Sequence, residues 1–171
     1  MNVFDAKPIT IVTGHYGCGK TSLSLNFAIQ EHFETIIDLD VVNPFFRSSD
    51  YINMLTRNGI KVISPYFANT NLDVPFIPSD VRTSVIFDKK VLIDAGGDDQ
   101  GSTAVGTVSK DIISRGYNMF YVVNFMRPQT LNIEDAEEIM REIEAASHLK
   151  ITHIINNTNL KHDTDEDVFR K

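Results

Sequence analysis

The sequence predicts an α/β fold built on a mostly parallel sheet with helices on both faces. Two patterns point to it. Short apolar runs rich in β-branched residues alternate with longer helical patterns, as expected for parallel strands covered on both sides. A glycine-rich segment ending Gly19-Lys20-Thr21 also lies between the first such run and a helical pattern.

The runs are Ile9–Thr13, Thr35–Leu39, Lys61–Ser64, Val91–Ile93, Met119–Asn124 and Ile151–Asn156. Each is short and nearly continuous, which favours a buried strand. A helical pattern through Leu23, Phe27 and Gln30 follows the first run. Between Thr130 and Ser147, Ile133, Ala136, Met140 and Ile143 fall on one helical face. Glu134, Asp135, Glu137 and Glu138 crowd the first turns of that helix, where the dipole favours acids. Pro65–Ser79, with prolines, Asn/Asp positions and the aromatics Tyr66, Phe67 and Phe76, reads as a long loop, either functional or an irregular crossover. After Asn156 the chain is polar, with acids at Asp163, Asp165, Glu166 and Asp167. The sheet is expected to end there, or the chain to be a piece of something longer.

The 171 residues suit a single domain spanning 1–171. Sixteen basic against 23 acidic side chains leave a net charge of −7, which argues against a field that draws nucleic acid or an anionic membrane. One cysteine excludes an intrachain disulfide and a multi-cysteine metal site. The N-terminus shows no basic stretch followed by an apolar run, and no apolar segment approaches the roughly 20 residues that span a bilayer. A cytoplasmic protein is the expectation.

Gly14-His15-Tyr16-Gly17-Cys18-Gly19-Lys20-Thr21 fits the G-x-x-x-x-G-K-[S/T] pattern in full. Glycines let the backbone curl so that N–H groups point at phosphate oxygens, and the helix start adds partial positive charge. Lys20 is predicted to reach the β- and γ-phosphates and Thr21 to ligate Mg²⁺. The predicted nucleotide contacts are Gly14, Gly17, Cys18, Gly19, Lys20, Thr21 and Ser22. A thiol near a helix start can have a depressed pKa, but Cys18 reads better as a small loop residue. His15 and Tyr16 either touch a ligand or partner or fill the loop.

Val91-Leu92-Ile93-Asp94 is an apolar run ending in an acid, a position from which Asp94 can hold Mg²⁺ through water. Asp94-Ala95-Gly96-Gly97 makes a D-x-x-G arrangement whose Gly97 N–H is predicted to bond the γ-phosphate. Gly96, Gly97 and Gly101 are read as giving this loop freedom. Asp98 and Asp99 are turn formers, second-sphere carboxylates or solvated. Asp38 and Asp40 share one face of their strand. Asp40 is assigned to orient an attacking water or serve the magnesium ion, with loop capping the alternative; Asp38 is left open.

The last run continues Asn156-Asn157-Thr158-Asn159. Guanine-specific P-loop proteins carry N-K-x-D here, and its Asp takes two guanine N–H groups. Asn156 matches the first position, while Asn stands for both Lys and Asp. An amide suits adenine's acceptor–donor edge, so the turn tilts toward ATP.

The phosphate loop, Ile37–Pro44, Ile93–Asp99 and Asn156–Leu160 together resemble the CobQ/CobB/MinD/ParA nucleotide-binding superfamily, nearest its bacterial ParA-like ATPases. The resemblance implies a three-layer Rossmann-like P-loop NTPase fold, ATP with Mg²⁺, slow hydrolysis and often a nucleotide-dependent homodimer. It gives Lys20 and Thr21 the phosphate and magnesium roles, Asp40 that of the switch acid and Asp94 that of the second magnesium-site acid. His15 stands where ParA and MinD relatives carry a lysine that crosses the dimer interface. An imidazole is shorter and mostly neutral at pH 7, which argues against that contact.

The leading expectation is a Mg-ATP-binding ATPase or nucleotide-dependent switch, acting with a second copy or an unknown protein partner. The first alternative is an ATP-dependent small-molecule kinase or ligase, with Asp40, Arg47 and the 65–79 loop holding the acceptor. Arg82 and Arg127 are further candidate anion contacts or surface residues. The second alternative is a non-catalytic nucleotide-binding module in which Phe45, Phe46 and Tyr51 dock a partner or pack in the core.

Overall fold

A computed structural model of the chain describes residues 7–40, 49–64, 77–97 and 99–159. Among the described residues six strands form one sheet: β1 Ile9–Thr13, β2 Thr35–Leu39, β3 Lys61–Ile63, β4 Val91–Ala95, β5 Tyr117–Val123 and β6 His153–Asn156. Their order is β3-β2-β4-β1-β5-β6, and every pairing is parallel. The helices are α1 Lys20–Gln30, α2 Ser49–Arg57, α3 Ser79–Phe87, α4 Asp99–Gly106, α5 Ser109–Arg115 and α6 Ile133–Ser147.

The alternation of side chains along each strand divides the core in two. Ile9, Ile11, Ile37, Leu39, Ile93 and Tyr121 face α3, α4, α5 and α6 through Val85, Ala104, Ile112 and Ile143. Ile36 and Leu92 face α1 and α2 through Ala28 and Leu55, and Val12 and Val122 meet Cys18 beneath the start of α1. The result is three layers. β1, β2 and β4 are buried along their whole length, which explains their continuous apolar runs.

β1 lies between β4 and β5. The chain moves outward one way through β2 and β3, returns to β4, then crosses to the other side for β5 and β6. The carboxyl end of β1 is therefore a topological switch point, where ligands of open α/β sheets gather.

Several elements differ from the sequence reading. β5 starts two residues earlier than the apolar run and β6 starts at His153. Ser79, read as loop, opens α3 behind Pro78; residues 65–76 lie outside the described residues. In α6, Ala136, Met140 and Ile143 pack on the core, but Ile133, in the first turn, is exposed. Asn132 caps that turn by accepting the Asp135 N–H at 2.8 Å. Gly101 lies inside α4, and a β-carbon there would fall 2.6 Å from the Gly96 Cα. Close packing, not loop freedom, explains that glycine. Tyr51 packs beside Leu55 on the α2 face; Phe45, Phe46, Arg47, Asp98 and the acids after Asn159 lie outside the described residues.

Candidate nucleotide site

The segment 14–19 leaves β1 and curls into α1. Gly14, Gly17 and Gly19 have φ of 146°, 77° and 99°, the region that L side chains avoid. A β-carbon at Gly14 would also meet the Val122 carbonyl oxygen of β5 at 2.2 Å. α1 begins on Gly19 with no side-chain cap and no acid in its first turn. Its first-turn N–H groups lack a capping side chain, and the positive end of its dipole suits an anion.

Lys20 is buried, 6% exposed. Its ammonium donates to the His15 carbonyl at 3.3 Å and lies 4.0 Å from Asp40 Oδ2. Asp40 is thus brought to the phosphate loop. Asp38 orders the same strand end: its carboxylate accepts the Asp40 N–H at 3.1 Å and the Ser64 hydroxyl at 3.4 Å. Asp38 pairs in register with Asp94 on the neighbouring strand.

Asp94 is 1% exposed, and among the described residues neither carboxylate oxygen has a hydrogen-bond partner of ordinary geometry. Burial pushes its pKa up to about 7. The Lys20 charge opposes this, the Asp38 charge reinforces it, and the nearby Thr21 and Ser24 hydroxyls pull it back. The Thr13 and Ser24 hydroxyls are likewise buried with no hydrogen bond of ordinary geometry among the described residues. Among the described residues no three His, Cys, Asp or Glu side chains converge as a metal cluster. A magnesium ion nevertheless fits, because it takes most of its ligands from water and phosphate and needs few from protein. The orphaned Asp94 oxygens beside Thr21 are the donors that such an ion would satisfy.

Gly97 is pressed onto the phosphate loop: a β-carbon there would meet the Gly14 carbonyl oxygen at 2.1 Å. Cys18 is fully buried, and burial raises its pKa, so its thiol is a core group and not a nucleophile. Ser22 is exposed on α1, and its carbonyl accepts from Asn26.

His15 turns inward and is 4% exposed. Its Nδ1 lies 2.8 Å from the Tyr16 carbonyl and its Nε2 2.9 Å from the Thr130 hydroxyl, which donates to the Asn124 carbonyl at 2.7 Å. Burial lowers the His15 pKa; the Tyr16 hydrogen bond opposes this, and the Lys20 and Arg127 charges add to it. An imidazole held this way fills the loop from within.

Asn156 is exposed at the end of β6, and its Oδ1 is taken by the Thr158 amide and hydroxyl. The next residue reaches the phosphate loop instead: Asn157 Nδ2 donates to the Cys18 carbonyl at 2.8 Å. Asn159 is bound into the turn through Asn124 and Asn157. Arg127, offered by the sequence only as a lone candidate, donates from Nε to the Gly17 carbonyl at 3.1 Å. Arg82 is instead paired with Asp111 at 2.9 Å, away from the site. Asn157 had one available signal: it directly follows the last strand, where a loop residue can lean over β1.

Solved structures share this architecture. FlhF complexed with GMPPNP/Mg(2+) superposes with a TM-score of 0.52 at 14% identity over 86% of this chain and 54% of that one. The signal recognition particle receptor FtsY from Elizabethkingia anophelis in complex with GDP gives 0.51 at 15% identity over 90% and 49%. FlhF complexed with GTP/Mg(2+) gives 0.50 at 14% identity over 90% and 67%. The fold is that of the P-loop NTPases. The chain spans about half the length of the first two structures. No family model and no curated protein matches the chain. No helix among the described residues is long and apolar enough to cross a membrane.

Proposed function

We propose that the protein binds ATP with Mg²⁺ in the 14–21 loop and hydrolyses it slowly, as an ATPase or nucleotide-dependent switch. The observation that carries this reading is the uncapped start of α1 beside a buried lysine and the buried carboxylate of Asp94, which has no hydrogen bond of ordinary geometry among the described residues. Such a site is incomplete without a polyanion and a cation. Lys20 would leave Asp40 and the His15 carbonyl for the β- and γ-phosphates, stabilising charge as the phosphoryl group departs. Asp40, freed from Lys20, would orient the attacking water. A bound magnesium ion would draw charge from the phosphates, held by the Thr21 hydroxyl and, through water, by Asp94.

Adenine is favoured over guanine because the 156–159 turn carries no carboxylate for guanine N–H groups. The inward His15 supports a loop that makes no lysine-like reach toward a second copy, so a homodimer would need other contacts.

The test is calorimetric titration with ATP and GTP in magnesium, with phosphate release followed in parallel. ATP binding that Lys20→Ala abolishes, with slow turnover in the parent protein, is the expected result. Turnover unchanged in Lys20→Ala would refute the reading.

A further inference from the structure

We infer that Arg127 is a second cation of the phosphate site, contacting the polyphosphate of the bound nucleotide from the loop after β5; this rests on the nucleotide-binding reading above. Three observations place it. Its Nε donates to the Gly17 carbonyl, across 110 positions of sequence, so the guanidinium lies on the phosphate loop itself. A β-carbon at Gly17 would sit 3.6 Å from that Nε, an ordinary van der Waals contact, so the guanidinium lies directly against the loop backbone. Among the described residues Arg127 forms no ion pair, whereas Arg82, Arg141, Lys61, Lys90 and Lys150 each face an acid.

The loop that carries it is fixed at both ends. The Arg127 N–H donates to the Asn124 carbonyl at 3.1 Å, and its own carbonyl accepts from Thr130 at 3.0 Å. Thr130 is in turn tied to His15 in the phosphate loop. The side chain is therefore held in place before any ligand arrives. Only one of its five N–H donors is used by Gly17, which leaves four for phosphate oxygens. In a chain of net charge −7, an unpaired guanidinium beside an uncapped helix start answers the charge of a triphosphate. The planar fork also makes lysine an incomplete substitute, since lysine keeps the charge and loses the Nε contact.

The probes are ATP and inorganic tripolyphosphate, with magnesium, on the full chain and on Arg127→Gln, Arg127→Lys and Lys20→Ala. Arg127→Gln is expected to weaken both ligands roughly ten- to a hundredfold, as for loss of a charge-assisted hydrogen bond. It should also flatten the dependence of affinity on ionic strength, and Arg127→Lys should recover part of both. Unchanged affinity in Arg127→Gln overturns the assignment. So does a loss confined to ATP and not tripolyphosphate, or an equal loss with an unaltered salt dependence, which would mark Arg127 as a loop tie only. If the parent protein binds neither probe, the nucleotide reading itself fails; if it binds and Arg127→Gln matches it, only the Arg127 role fails.

Discussion

Gly97 lies against Gly14 so closely that no side chain fits between the segment after β4 and the phosphate loop: a β-carbon at 97 would be 2.1 Å from the Gly14 carbonyl oxygen and 2.9 Å from the His15 nitrogen. Both neighbours are backbone, which cannot rotate aside. Gly97→Ala must therefore push the two segments apart. The expected cost is about 1–3 kcal/mol, the range for overpacking, read as a lower urea midpoint without ligand. Nucleotide affinity should fall in the same variant. An unchanged midpoint would mean that the two loops separate freely.

Asp94 makes stability depend on pH in a definite direction. Its folded pKa is raised to about 7 from 3.8, with burial the main cause. Between those values the folded chain holds a proton that the unfolded chain has released, so stability falls as pH rises through this window. Above pH 7 the penalty is fully present. Asp94→Asn should stabilise the ligand-free protein at pH 8 by a few kcal/mol, on the order of the pKa difference, and by nothing near pH 3. Its added stability in ATP and magnesium should shrink. Urea unfolding at the two pH values, with and without ligand, checks all three.

Thr130 stands between His15 and the Asn124 carbonyl. Its single proton goes to the carbonyl, so it must accept from His15 Nε2, while the Tyr16 carbonyl asks for a proton on Nδ1. A neutral imidazole satisfies only one of these. Thr130→Val leaves buried polar atoms unpaired and should cost about 1–3 kcal/mol, with Thr130→Ser restoring most of it. Because burial lowers the His15 pKa, the unfolded chain takes up the proton first as pH falls. His15 thus contributes a loss of stability below its unfolded pKa of 6.5. His15→Gln should flatten the stability profile between pH 5 and 7.

Asn157 ties the end of β6 to the phosphate loop through the Cys18 carbonyl. Asn157→Asp would set a carboxylate against that oxygen, and Asn157→Ala would remove the tie. Each should weaken ATP binding, the aspartate more than the alanine, by roughly tenfold or more given the unfavourable burial of charge. Parent-like affinity in both variants would show that the tie itself is unimportant.

The strands, the phosphate loop and the placement of Asp40 and Asp94 at strand ends were legible in the residues. Local physics writes them: β-branched runs buried on both faces, glycines where φ must be positive, and a lysine at the first position of a helix. The neighbours of that loop were not legible. Arg127, Thr130 and Asn157 reach it from 110, 115 and 139 positions away, and they do so because β1 pairs with β5, and β5 with β6. No periodicity within one segment records which strands lie side by side. The inward turn of His15 onto Thr130 shares that cause. It depends on what the assembled sheet places beside the residue, which only the folded chain supplies.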